Sequence, residues 1–292
     1  MWLVCAILTF IIWGTADLFY KKSNLEQEDD SHLKTSIVVG IVMGIHATIY
    51  YFVNHVSISF MDIIKYLPVS LCYMISMIIG YKGLRYIDLS ISSPIQNTSG
   101  FITSILLCII FKEVLSISQL MGLLCMFLGV VIITIVELRK DNTKKKILSH
   151  FKIWIILFPI IYSVIDGLGT FLDAIYLDKL KLISEDAALV SYEFTFFIYA
   201  LIMTVYLFVF KKSSIKFLLD KNKLCASIFE TIGQWVYVYA IVSHSEISIP
   251  IVSCYSFFSI FLSHIVLKEK LNIYEKVGIL IIFIGIIILS IM

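Results

Sequence analysis

The chain has 292 residues, 60% of them hydrophobic, with a mean hydropathy of +0.96 and a net charge of only +2. Several apolar runs approach 20 residues, the length of a membrane span, which excludes an ordinary soluble domain. No basic patch supports a nucleic-acid partner, and in such a chain the placement of charge matters more than its sum.

Ten spans are expected from hydropathy, at roughly 2–20, 35–53, 65–84, 88–111, 116–137, 152–176, 187–210, 223–243, 247–267 and 272–292. The opening Met1-Trp2-Leu3 lacks the basic segment and cleavage site of a signal peptide, so the first span is expected to be retained. The six cysteines lie in or beside apolar runs without paired or metal-type spacing, and read as small packing residues. The connections are short, so successive helices should be antiparallel neighbours. The longest hydrophilic breaks are 21–34, 138–150 and 211–223.

The chain also repeats itself. Residues 86–136, moved forward by 156 positions without a gap, fall on 242–292. Pro94 meets Pro250, Lys112-Glu113 meets Lys268-Glu269, Gly122 meets Gly278 and Gly129 meets Gly285. Each copy reads as an apolar helix with an early Ser-x-Pro, a tight Lys-Glu turn, and a second apolar helix. The glycines of that second helix, seven apart, share one face and permit close approach in lipid. The prolines remove a backbone donor and should kink their helices. The break with Lys144-Lys145-Lys146 divides the chain into repeats at 1–137 and 152–292, joined by a basic linker at 138–151. An odd number of helices per half sets the halves in opposite orientations. The expected fold is therefore all-α, with ten transmembrane helices as two inverted five-helix repeats.

Nineteen of the 23 Lys and Arg lie on the side of the odd-numbered breaks, and the other side holds only Lys65, Lys112, Lys179 and Lys181. The positive-inside bias then puts the linker in the cytoplasm and both termini outside a multi-pass cytoplasmic-membrane protein.

Trp13-Gly14 in the first span, Pro94 and Pro250, Lys112-Glu113 and Lys268-Glu269, and the glycines Gly122, Gly129, Gly278 and Gly285 resemble the EamA-type transporters of the drug/metabolite transporter superfamily, over essentially the whole chain. The resemblance implies a basket of ten helices around a central cavity, carrying small metabolites by alternating access. Members export amino acids, metabolites or drugs, and some import quaternary amines.

Charges inside spans need a reason, since each costs roughly 2.5–3.5 kcal/mol at mid-membrane on insertion scales. In the sixth span Tyr162, Asp166, Gly169, Thr170 and Asp173 form one stripe. In the eighth, Ser227, Glu230, Gln234 and Tyr237 share a face with Trp235 beside it. Glu193 lies in the seventh span. In the first, Trp13-Gly14-x-x-Asp17 resembles Tyr162-Ser163-x-x-Asp166, which would make the two aspartates repeat mates; a helix-end pair of Asp17 with Lys21 is the alternative. Asp173 has the further options of pairing with Lys179 or Lys181, or of lying hydrated in a vestibule. The fourth span carries Ser92, Gln96, Ser99 and Thr103 with Asn97 beside them, and its mate offers Ser253, Ser256, Ser259, Ser263 and Tyr255. Most serines there serve packing. His46 and His264 read first as hydrogen-bonded packing residues.

The expected cavity is lined by the first, fourth, sixth, eighth and ninth spans. Its substrate residues are Trp13, Gln96, Asn97, Tyr162, Asp166, Glu230, Gln234, Trp235 and Tyr255. Asp166, Asp173, Glu193 and Glu230 are the proton-coupling candidates. Without an intramembrane Lys or Arg, these carboxylates must be protonated or must meet a cation from outside the protein. Aromatic faces beside carboxylates suit an organic cation. No phosphate loop, metal-ligand pair or nucleophile constellation is present, so no metal, cofactor or catalytic residue is expected. The function expected is secondary-active transport of a small organic metabolite, an amine or amino acid, driven by a proton or other gradient. The protein would work as a monomer or homodimer in the bilayer. A membrane-embedded enzyme acting on a lipid or headgroup, and a non-transporting sensor or assembly subunit, are the alternatives.

Overall fold

The computed structural model describes residues 2–24, 30–111, 116–139, 152–242, 245–253 and 255–290. Lys112-Glu113, the run Lys144-Lys145-Lys146 and Cys254 lie outside the described residues. Within them the chain is α-helical and contains no strand. The helices are α1 (Trp2–Ser23), α2 (Ser31–Val53), α3 (Phe60–Leu84), α4 (Leu89–Gln96), α5 (Ser99–Phe111) and α6 (Ile117–Arg139). They continue as α7 (Lys152–Ala174), α8 (Glu185–Val209), α9 (Lys221–Ile241), α10 (Ser245–Ser253), α11 (Tyr255–Leu262) and α12 (Ile273–Ser290).

Seven stretches are long and apolar enough to cross a membrane: α1, α2, α3, the run Leu89–Phe111 holding α4 and α5, Trp154–Lys179, α8 and α9. Shorter apolar helices cover Leu120–Ile133 and Ile251–Leu267. A 22-residue helix such as α1 is about 33 Å long, against a hydrocarbon core of about 30 Å. Helix satisfies every backbone group within the segment, which lipid demands. The chain is a multi-pass membrane protein.

Two expectations need correcting. Hydropathy starts the third span at 65, but α3 begins at Phe60. Ser59 and Asp62 form a reciprocal capping box there, with Ser59 N donating to Asp62 Oδ2 at 2.9 Å. Asp62 and Lys65 interrupt the apolar run there, whereas the helix start is set by the cap. The fourth span was expected as one helix kinked at Pro94. It is two helices, and Pro94 lies inside α4. The break comes three residues later at Asn97-Thr98, where Thr98 Oγ1 bonds Ile95 O at 2.7 Å and Ser163 Oγ at 2.9 Å. A side chain bonded both to its own helix and to α7 competes with the helical ladder.

The packing is related by exchange of the two halves. The pair α1·α9 corresponds to α7·α3, and α1·α11 to α7·α5, while α2·α8 and α6·α12 map onto themselves. Between α6 and α12 the repeated glycines meet each other. A methyl group on Gly129 would stand 2.7 Å from Gly278 O, and one on Gly285 would stand 2.6 Å from Gly122 O. Backbone therefore touches backbone at two levels, an approach only glycine permits. The interior itself is rich in tyrosine: Tyr20, Tyr66, Tyr73, Tyr81, Tyr192, Tyr237 and Tyr255 all belong to the main core cluster.

Candidate functional site

Between the halves lies a cavity of about 820 Å³, counted with the space at its mouth. Asp17, Asp166 and Glu230 stand in its wall, on α1, α7 and α9. Trp13, Tyr20, Tyr73, Tyr81, Tyr162, Tyr192, Tyr237 and Tyr255 supply aromatic faces. Among the described residues the lining contains no lysine, arginine or histidine.

The two halves place their aromatics alike. Trp13 on α1 lies against Gly233 of α9, and Tyr162 on α7 lies against Gly80 of α3, where a methyl would stand 2.7 Å from Tyr162 Cδ2. In each case the first helix of one half sets a ring on a glycine in the third helix of the other. Trp13 also packs on Tyr237 and Tyr255, with ring centroids 4.9 and 5.9 Å away.

Each carboxylate has hydroxyl partners. Tyr20 donates to Glu230 Oε2 at 2.9 Å, and the Tyr20 ring lies 4.3 Å from that of Tyr81. Ser93 and Ser259 donate to Asp17 Oδ2 at 2.6 and 2.7 Å, joining α1 to α4 and α11. Ser76 reaches Asp166 Oδ1 at 3.5 Å, a long contact. Gln96 Nε2 donates to Ser92 Oγ at 3.1 Å. Trp13 Nε1, Asn97 Nδ2 and Gln234 Nε2 are buried without a partner among the described residues. Buried donors of this kind are costly to leave unmade.

Of the residues expected at the site, Trp13, Gln96, Asn97, Tyr162, Asp166, Glu230, Gln234 and Tyr255 line this cavity. Trp235 does not, and this corrects the expectation. It follows Gln234, hence points about 100° further round the helix. It is 40% exposed, with its ring beside His46 and Tyr50 at 5.8 and 6.2 Å. Asp173 and Glu193 lie off the cavity as well. Asp173 is buried and accepts from Tyr66 and, at 3.4 Å, from Tyr73. Glu193 is buried against His46, whose Nδ1 stands 2.8 Å from Glu193 Oε2. Near that pair Tyr50 and Tyr239 both donate to Asp186 Oδ1, at 2.7 and 2.8 Å.

The wall also includes helices that were not expected in it. α3 contributes Tyr73, Met77, Gly80, Tyr81 and Leu84, and α8 contributes Tyr192. Their tyrosines read as ordinary core from sequence. The signal that points to α3 is the repeat itself, because α3 is the mate of α9. Among the described residues no cluster of three His, Cys, Asp or Glu is placed to hold a metal ion.

Residues 1–135 and again 152–291 match the EamA-like transporter family. The chain belongs to that family. The double match means that this EamA protein carries two copies of the family's unit. No curated protein sequence matches it. One solved structure, described only as "Crystal structure of protein", is similar over 99% of this chain and 96% of its own, with 10% identity and a TM-score of 0.66. At that identity the likeness is one of fold.

Proposed function

We propose that this EamA protein is a secondary transporter for a small organic cation, an amine-bearing metabolite, and that it works by alternating access. The observation that carries the reading is the cavity wall: among the described residues, three carboxylates, eight aromatic residues and no basic side chain. An aromatic face attracts a desolvated cation by roughly 0.5–2 kcal/mol, and a carboxylate fixes its position. Asp166 and Glu230 are the coupling residues in this reading. Each gives up a proton as the cation arrives and regains it as the cation leaves, so that proton and amine move in opposite directions. Asp173 and Glu193, held by tyrosines and by His46 away from the cavity, hold helices together instead. Purified protein in liposomes should accumulate a small primary or quaternary amine against an opposed proton gradient, with the amine chemically unchanged. Equal accumulation of an uncharged isostere would overturn the assignment of a cation.

The architecture that fits this reading has ten crossings in two inverted repeats, at 1–137 and 152–292, with the linker 138–151 in the cytoplasm. The exchange-related packing of the halves supports it, as does the charge bias toward the odd-numbered breaks. Reporter fusions at Lys145 and at the C-terminus should report opposite sides of the membrane, Lys145 on the cytoplasmic one. A cytoplasmic C-terminus would reverse the orientation.

A further inference from the structure

The four residues between α3 and α4, 85–88, are gripped at both ends by charged side chains from elsewhere in the fold. On one side Lys21 of α1, itself buried, donates to Leu84 O at 2.7 Å and to Ile87 O at 2.5 Å. These are carbonyls at and just beyond the end of α3, where a helix presents partial negative charge. On the other side Glu269, in the second half of the chain, receives the Leu89 N–H on Oε1 at 3.0 Å and the Ser90 N–H on Oε2 at 2.9 Å. Those amides open α4, where a helix presents partial positive charge. The residue in position to cap α4 locally is Asp88, and its side chain makes no capping bond. The carboxylate that does the work comes from Glu269 instead.

The turn that delivers Glu269 is an unusual one. Residues Ser263–Leu267 form a π turn ending at Lys268, which adopts a left-handed conformation with φ 57°. Non-glycine residues rarely do so, and strained backbone concentrates where another constraint holds it. His264 Nδ1 lies 3.1 Å from Glu269 O and helps to fix the turn. This gives Lys268-Glu269 a role that composition does not suggest.

The clamp lies directly behind the cavity. Leu84, whose carbonyl Lys21 holds, is part of the wall, and Tyr20, next to Lys21, donates to Glu230. At the other end α4 carries Ser93, which binds Asp17, and Gln96, which lines the cavity. We propose that Lys21 and Glu269 form a two-point clamp on the α3–α4 linker, which shuts the Leu84 end of the cavity and positions the polar residues of α4 within it. This rests on the transport reading. Opening that end requires release of four hydrogen bonds, each to a charged partner. Closure therefore has a defined geometry.

The test uses a cysteine placed on the wall, Met77→Cys, in full-length protein whose six native cysteines are replaced by alanine. The rate of its reaction with a membrane-impermeant methanethiosulfonate is measured in right-side-out and in inverted membrane vesicles. Glu269→Gln keeps the shape but sets an amide against one N–H, and Lys21→Met keeps the stem but removes the charge. Each variant should raise the rate by about fivefold from the face carrying residues 85–88, the shift expected from losing about 1 kcal/mol of one state's stability. From the other face it should stay level or fall. Asp62→Asn is the comparison, because Asp62 caps the opposite end of α3 in a reciprocal pair with Ser59, away from residues 85–88. It should leave both rates unchanged. A rise of equal size from both faces, or no rise from either, overturns the clamp. Labelling needs no substrate, so the transport reading can fail while the clamp stands, and the reverse.

Discussion

Asp166→Asn and Glu230→Gln, made singly, should each reduce amine flux at least about tenfold, equivalent to ~1.4 kcal/mol, and abolish its response to an opposed pH gradient. Both substitutions preserve volume and an oxygen acceptor. Tyr20, which donates to Glu230 Oε2, keeps a partner in Glu230→Gln, and Ser76 keeps one in Asp166→Asn. What they remove is the charge and the proton site. The wall contains no basic side chain among the described residues, so a cation loses part of its only full-charge counterpart. The expected pattern is therefore loss of function at normal abundance and normal melting temperature. Asp173→Asn provides the contrast: its carboxylate is buried against Tyr66 and Tyr73 away from the cavity, and its pH response should persist. Normal flux with normal pH dependence in both cavity variants would show these carboxylates to be structural and remove the mechanism proposed above.

The second large effect concerns stability. Gly129→Ala and Gly285→Ala should each lower the melting temperature in detergent by about 5 °C, and the double variant should fail to yield a monodisperse protein. A new methyl group at Gly129 meets Gly278 O at 2.7 Å, and one at Gly285 meets Gly122 O at 2.6 Å. Both obstacles are backbone, which no rotamer change relieves. Overpacking of this kind costs about 1–3 kcal/mol, and in a chain of this size each kcal/mol is worth about 2–4 °C. Gly100→Ala serves as the comparison, since its methyl would meet side-chain atoms, Ser253 Oγ at 3.2 Å and Ile249 Cγ2 at 3.9 Å, rather than backbone. Equal tolerance of all three substitutions would mean that α6 and α12 separate readily, against the close contact seen here.

Much of this protein was legible in the order of its residues, for identifiable reasons. A membrane span announces itself locally, because roughly 20 apolar residues suffice whatever surrounds them. The repeat is a comparison of the chain with itself, and it pointed to the two-copy layout and to the glycines that meet between α6 and α12. Asp166 and Glu230 stood out because an ionisable group in a span is costly wherever it sits. Other features were decided only in three dimensions. Trp235 has the right neighbours in sequence, yet one step along a helix turned it away from the cavity. Tyr73, Tyr81 and Tyr192 look like any interior tyrosine until packing sets them around one space. Pro94 suggested a kink, but a hydroxyl contact from Thr98 to Ser163, 65 residues away, placed the break at Asn97-Thr98. Asp17 had Lys21 one turn away, yet its oxygen is met by Ser93 and Ser259, 76 and 242 residues distant. Lys21 in turn holds the end of α3. Burial and span length depend on local composition and are written along the chain; which polar group meets which depends on how helices far apart in sequence come to lie together.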